Sequence, residues 1–340
     1  MTIIKFPKRE EREKDEQEEK ETKKPRNKKT EPRKPWGRNE RLLVSSLLIS
    51  TALVSGLLAL SARAWKLPGL PQITLPDLGL EKTYIIEANR PTPPASDSII
   101  NEFKVLISPL SGNYGFYVVR PNLNQSYGHN HQDIFQAASL IKLPVMLALL
   151  REVESENIDL ASTYTITDAD KVAGAGSLYY KPAGTIVTYK DLITLMGHES
   201  DNTAFHIAVK TLGEEKINTT LSALNMNNTS LKDNLTTPRD IGQFFTELVN
   251  PQLISPEHAQ LIIDSLTDTI FEDYLPVGIP DHLRVAHKYG REIHVLNDAG
   301  IVLTQEPFIL VLMSEGIVDA EAESIFPKLS ELIYHFETSQ

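Results

Sequence analysis

The stretch Phe135-Gln-Ala-Ala-Ser-Leu-Ile-Lys-Leu-Pro-Val-Met-Leu147 decides how the rest of the chain is read, and an apolar run continues it through Ala148, Leu149 and Leu150. Residues three apart on a helix share a face, so a helix starting near Ser139 makes neighbours of the Ser139 hydroxyl and the Lys142 amine. Leu140, Leu143, Leu147 and Leu150 then form its core side. A serine hydroxyl is a weak nucleophile until a base takes its proton, and a desolvated lysine can act as that base. The orphan N–H groups of a helix start add positive potential where an oxyanion would form. The same residues also fit a plain helix start, with Ser139 as N-cap and Lys142 on the surface.

Working outward, 340 residues with 41% hydrophobic content suffice for one sizeable domain plus appendages. The net charge of −11 is unevenly spread. Residues 1–41 carry more Lys and Arg than Asp and Glu, whereas acids outnumber bases from Lys66 onward. The acidic main region argues against nucleic acid as a partner. The chain has no cysteine, which excludes disulfides, thiol catalysis and Cys-ligated metals.

Residues 1–40 are dominated by Lys, Arg and Glu with scattered Pro and read as a disordered cytoplasmic tail. Leu42–Leu60 carries no charge and approaches the ~20 residues that cross the hydrocarbon core. Residues 41–64 are therefore expected to form one transmembrane helix, and the basic residues before it keep the tail inside. Ala62-Arg-Ala64 leaves a cleaved signal segment as the competing reading. Either way the main domain is exported, as the outward part of a single-pass membrane protein in the first case. Residues 65–98, with six prolines between Pro68 and Pro94, read as an extended linker. Residues 99–338 form the expected domain.

Strand patterns cover Tyr114–Arg120, Asn124–His129, Arg284–Tyr289, Ile293–Leu296 and Phe308–Met313. Helical patterns cover Tyr189–Met196, Thr203–Thr211, Glu215–Leu224, Pro238–Leu248, Pro256–Leu266 and Asp319–Phe336. Strands first, helices in the middle, strands and a helix last predict an α+β fold. It is a three-layer α/β/α arrangement in which an antiparallel sheet is flanked by helices. His129 and His131 alternate as solvent-facing residues, and no acidic or histidine partner has metal-motif spacing. Neither metal nor cofactor is expected.

Two further motifs follow Ser139 in order: Ser200-Asp201-Asn202, and Lys288-Tyr289-Gly290 followed by Arg291. With Ser139-Leu-Ile-Lys142 they resemble the penicillin-recognising serine hydrolases, most closely the class A serine β-lactamases. The turn Gly174-Ala-Gly-Ser-Leu178 and the pair Leu195-Met196 also look like that family. The resemblance spans about Gly112 to Gly316. It implies a β-lactamase/transpeptidase-like fold with an all-helical subdomain.

A serine acyl-transfer site needs a nucleophile, a base, a proton donor and oxyanion donors. Ser139 fits the nucleophile, Lys142 the base and Ser200 a proton relay. Lys288 fits a substrate carboxylate and repels a nearby lysine charge. The resemblance implies substrate contacts at Asn202, Lys288, Tyr289 and Gly290, and an oxyanion hole from the backbone N–H of Ser139 and Arg291. Asp201 reads as structural, and Ser200-Asp201-Asn202 also fits a helix N-cap.

Two departures stand out. The family's deacylating glutamate sits on a long loop, but the corresponding stretch Asn227–Thr237 is short and has no glutamate. The third motif carries Tyr289 where the family has threonine. The expected protein is thus a monomeric, membrane-anchored serine hydrolase acylated at Ser139 by β-lactams or peptidoglycan-like amides, and slow to deacylate. A D,D-peptidase-like enzyme and a β-lactam sensor without turnover are the alternatives.

Overall fold

The computed structural model describes residues 94–339, together with Ser46 and Ser50. The 1–40 tail, the rest of the apolar run Leu42–Leu60 and the linker up to residue 93 lie outside the described residues. No helix among the described residues is long and apolar enough to cross a membrane.

The described chain opens with α1 (Pro94–Ile107), which starts ahead of the expected Ile99. Proline is tolerated in the first turn because its missing N–H has no partner there anyway. The proline run therefore hid a helix start. Two strands follow, β1 (Asn113–Arg120) and β2 (Gln125–His129), and then the short β3 (Phe135–Gln136). A 3-10 turn, Ala138–Ile141, leads into α2 (Lys142–Glu154). A ribbon of β4 (Thr163–Thr165) and β5 (Ile186–Thr188) precedes α3 (Tyr189–His198) and α4 (Asn202–Ala223). Next come β6 (Leu235–Thr236), α5 (Pro238–Val249) and α6 (Pro256–Ser265). The chain closes with β7 (Val285–Glu292), β8 (Val295–Val302), β9 (Phe308–Glu315) and α7 (Asp319–Thr338).

The helix starts follow their caps. Thr188 and Asp191 form a capping box on α3. Thr237 and Ser255 accept from backbone N–H groups at the starts of α5 and α6, each followed by proline. The two helices expected at Thr203–Thr211 and Glu215–Leu224 are the halves of α4, broken at Gly213, whose φ is 75°.

The main sheet has the order β2-β1-β9-β8-β7 and is antiparallel throughout. Side chains of β9 alternate between two cores, as strand geometry requires. Phe308, Leu310 and Leu312 pack with α1 and α7 residues such as Phe103 and Phe326. Ile309, Val311 and Met313 pack with the helical region, including Leu147, Ile241 and Phe244. The sheet is thus covered on both faces, in the three layers expected.

Two expectations need correction. The α-helix begins at Lys142, not near Ser139, which sits in the 3-10 turn and makes no capping hydrogen bond. In a 3-10 turn residues three apart eclipse, so Ser139 and Lys142 still face each other. The strand expected at Ile293–Leu296 is really β8. Ile293 lies between β7 and β8 and is 86% exposed. The polar Asn297 and Asp298 masked the continuation of the strand, yet both are fully buried.

Candidate active site

Helix α2 is buried along the whole run Lys142–Leu150. It is enclosed on every side, rather than only on the leucine side its sequence suggests. That enclosure strips water from Lys142, which is 4% exposed. Burial pushes its amine down to about 8, against the pull of the Asp201 and Glu292 charges. Lys142 Nζ lies 2.9 Å from Ser139 Oγ and 2.9 Å from Asn202 Oδ1. An amine near neutrality at this distance can take the hydroxyl proton.

Ser200, Asp201 and Asn202 mark the start of α4. Asp201 is its N-cap and accepts from Ala204 N at 2.8 Å. Its other oxygen accepts from Leu178 N at 2.8 Å, so it also holds the glycine-rich turn. A Cβ at Gly176 would stand 2.1 Å from Asp201 Oδ2, which explains that glycine. Glu199 Oε2 accepts from Ser177 N, and Asn202 N donates to Ala175 O. The turn and the motif thus clamp each other. Asn202 is left with its amide nitrogen on Ala173 O and its oxygen on Lys142. Ser200 Oγ is buried without a hydrogen-bond partner among the described residues. An orphan hydroxyl is costly and suits a group that gains its partner from a ligand.

Backbone that most residues avoid occurs at Ser200 and just before Ser139. Ala138, just before Ser139, has φ 49°, and Ser200 has φ 55°. Such residues persist only where their surroundings impose the conformation. At Ala138 the surroundings are visible: Asn297 of β8 donates to Gln136 O and Ala137 O at 2.8 and 3.2 Å, pinning the chain just ahead of the turn. Asn297 carried no motif signal, and its burial is what marks it.

The edge strand β7 carries the third motif. Lys288 is fully buried and its Nζ donates to Tyr289 O at 3.1 Å. Burial first, and the Lys142 charge second, hold its amine well below the ordinary lysine value. The ring of Tyr289 is stacked between Phe271 and Tyr274, at centroid distances of 5.0 and 5.4 Å. Burial pushes its phenol up to about 12. It contacts these two rings and the Arg291 side chain. The Arg291 side chain turns to Tyr274, Glu323 and Asp319, and Gly290 lies against the Ser139 backbone. His131, half-buried rather than solvent-facing, stacks on Tyr117 at 5.2 Å.

The short Asn227–Thr237 stretch folds back on itself through the Ser230–Leu235 bridge. It pairs β6 with β3, and Ala137 N donates to Asn234 O. Its one acid, Asp233, accepts from Ser230 Oγ, and Asp240 in the first turn of α5 accepts from Asn228 N and Thr229 Oγ1. The carboxylate beside this loop is Glu292, which accepts from Asn234 Nδ2 at 2.9 Å and Gln136 Nε2 at 3.4 Å. No motif pointed to it.

Residues 98–336 match the model of a family described as the beta-lactamase enzyme family. Beta-lactamase 3 of Bacillus cereus is 26% identical over 231 residues, covering 62% of this chain and 72% of that one. Beta-lactamase VEB-1 of Pseudomonas aeruginosa is 22% identical over 271 residues, covering 71% and 91%. The fold matches the structure of PBP-A with a TM-score of 0.68 and 22% identity, over 72% of this chain and 97% of that one. A PBP-A mutant has been solved as an acyl-enzyme complex with penicillin G, and its likeness to this chain has the same TM-score, 0.68.

Proposed function

Since the chain belongs to the beta-lactamase enzyme family, we propose that it is a serine acyl-transferring hydrolase whose Ser139 is acylated by β-lactams or related amides. The observation that carries this reading is the Ser139 Oγ to Lys142 Nζ distance of 2.9 Å, with the amine brought down to about 8. Lys142 takes the hydroxyl proton as Ser139 attacks the lactam or amide carbonyl. The backbone N–H groups of Ser139 and Arg291 receive the oxyanion. Ser200 passes a proton to the leaving nitrogen, and Lys288 receives the substrate carboxylate. Intact-mass spectrometry with penicillin G on the wild type and Ser139→Ala tests this. An adduct on the wild type alone is expected, and an equal mass shift on both proteins sinks it.

The acyl-enzyme is hydrolysed slowly on this reading. What supports it is the lack of a glutamate between Asn227 and Thr237 and the prior engagement of Asp233 and Asp240. The same features suit a D,D-peptidase-like enzyme acting on peptidoglycan stems, which is the second reading.

The apolar run Leu42–Leu60 anchors the domain outside the membrane in this proposal. Protease added to spheroplasts should digest the 94–339 region and spare the 1–40 tail; the reverse pattern overturns the topology.

A further inference from the structure

His287 precedes Lys288 on β7 and is fully buried. Each of its ring nitrogens faces a carboxylate. Nδ1 lies 2.7 Å from Asp298 Oδ1, and Nε2 lies 3.2 Å from Glu272 Oε1. A neutral imidazole donates from one nitrogen only, and an ionised carboxylate only accepts. Donating to both carboxylates at once therefore takes the doubly protonated ring; the other hydrogen-bonding group at Nε2 is Thr269 Oγ1, 3.4 Å away. Burial alone would strip that charge. Asp298 foremost, and Glu272 after it, overcome burial and hold the ring up at about 9.

This ion cluster ties three pieces of chain together. Asp298 comes from β8, and its second oxygen accepts from Leu275 N at 3.0 Å. Glu272 Oε1 also accepts from Thr269 N and Thr269 Oγ1, at 2.6 and 2.9 Å. Thr269 Oγ1 in turn accepts from Phe271 N at 3.1 Å. The segment Thr269–Leu275 is thus held to β7 through Glu272 and to β8 through Asp298. Phe271 and Tyr274 lie within it. The Phe271 ring stacks on Tyr289, and its centroid is 5.9 Å from Lys288 Nζ.

Among the described residues, the charged groups in contact with the His287 ring are Asp298 and Glu272, with Lys288 next on its own strand. Removing the imidazolium charge would leave the buried Asp298 carboxylate and the partly exposed Glu272 carboxylate with no cation between them. A buried charge that loses its partner is costly. The segment would lift, and the aromatic wall beside Lys288 would go with it.

We propose that His287 is a positioning residue: its buried imidazolium staples Thr269–Leu275 onto β7 and β8, and so fixes the Phe271 wall beside the Lys288 ammonium that receives a substrate carboxylate. This rests on the reading of Ser139 as the acylated serine and Lys288 as the carboxylate site.

The test uses benzylpenicillin and its methyl ester, which lacks the free carboxylate, on wild type, His287→Gln and Glu272→Gln. Acylation is followed at several concentrations, which separates binding from the limiting acylation rate. Both variants should bind benzylpenicillin about tenfold more weakly, the scale of one spoiled charge-assisted contact. The limiting rate and the ester should change little. A loss shared equally by acid and ester, or no loss at all, overturns the proposal. Glu272 is partly exposed, so its variant keeps the test open should His287→Gln fail to fold. A proton–nitrogen correlation spectrum of the His287 ring gives a readout independent of acylation. The ring should be doubly protonated at neutral pH, and a neutral tautomer overturns the staple. Absence of any wild-type adduct at Ser139 would instead strike the acylation reading, leaving the ring spectrum to judge the staple.

Discussion

A Cβ built on Gly290 would stand 3.1 Å from the backbone nitrogen of Ser139 and 3.3 Å from Ala137 O. The strand of the third motif therefore touches the turn of the first through bare backbone. Gly290→Ala must push that nitrogen aside. Acylation by a chromogenic cephalosporin should fall by ~10²-fold or more, the scale of losing one oxyanion donor. The unfolding midpoint should shift little, because Gly290 has an ordinary φ. Stopped-flow acylation beside a thermal melt checks both; an unchanged rate would remove the Ser139 N–H from the oxyanion hole.

The amine of Lys142 sets a pH profile. A base must be unprotonated, and its folded pKa is lowered from 10.5 to about 8. Acylation should therefore rise with pH and level off above about 8. Lys142→Ala should lower acylation by at least ~10²-fold and flatten the rise. A rise that persists in Lys142→Ala would assign the limb to another group.

Turnover should be biphasic. With no glutamate in Asn227–Thr237, water attack on the acyl-enzyme lacks a positioned base. Losing a general base typically costs ~10²–10⁴ in rate. Stopped-flow should show a burst of one equivalent, then slow hydrolysis. Fast linear turnover would mean another carboxylate serves. Glu292, beside Asn234 and within electrostatic reach of Lys142, is then the first to mutate, ahead of Glu199 and Asp233.

The His287 staple predicts an alkaline weakness. Its folded pKa is raised to about 9, above the ordinary imidazole value of about 6.5. A raised pKa contributes stability that is fully present below the unfolded value and is lost as pH rises through the folded one. Urea midpoints should fall between about pH 6.5 and about pH 9 in the wild type and level off above that, with a smaller fall in Glu272→Gln. Equal slopes in the two proteins would contradict a charged His287.

The sheet, most of the helices and the ordered motifs were legible because each rests on local pattern. Phe308–Met313 reads as a doubly buried strand, and Ser139 with Lys142 as one turn. What stayed hidden depends on partners distant in sequence. Asn297 and Asp298 look like loop residues until β8 buries them against the Ala137 carbonyl and the His287 ring. Glu272 and Glu292 are two acids among many, and only their neighbours single them out. The start of α1 was obscured by a proline that reads as linker and serves as a first helical residue. Tyr289 could be named from its motif position. Its stacking between Phe271 and Tyr274 could not, because those rings come from a loop with no periodicity.

The pairing of β1 with β9, which sets Phe116 opposite Leu312, has a consequence for how the chain acquires its structure. The first strand pairs with β2 at once, but its other neighbour is made only after the helices and β7 and β8. Closing so long a loop is entropically unfavourable, and folds dominated by such distant pairs form slowly. Until then β1 offers the apolar Phe116, Tyr117 and Val118 on an unpaired edge, which makes it a site for association with other chains. Loss of the segment after Val302 would remove β9 and α7 together. It would leave β1 and β8 as two open edges and deny the helical half the face it packs on.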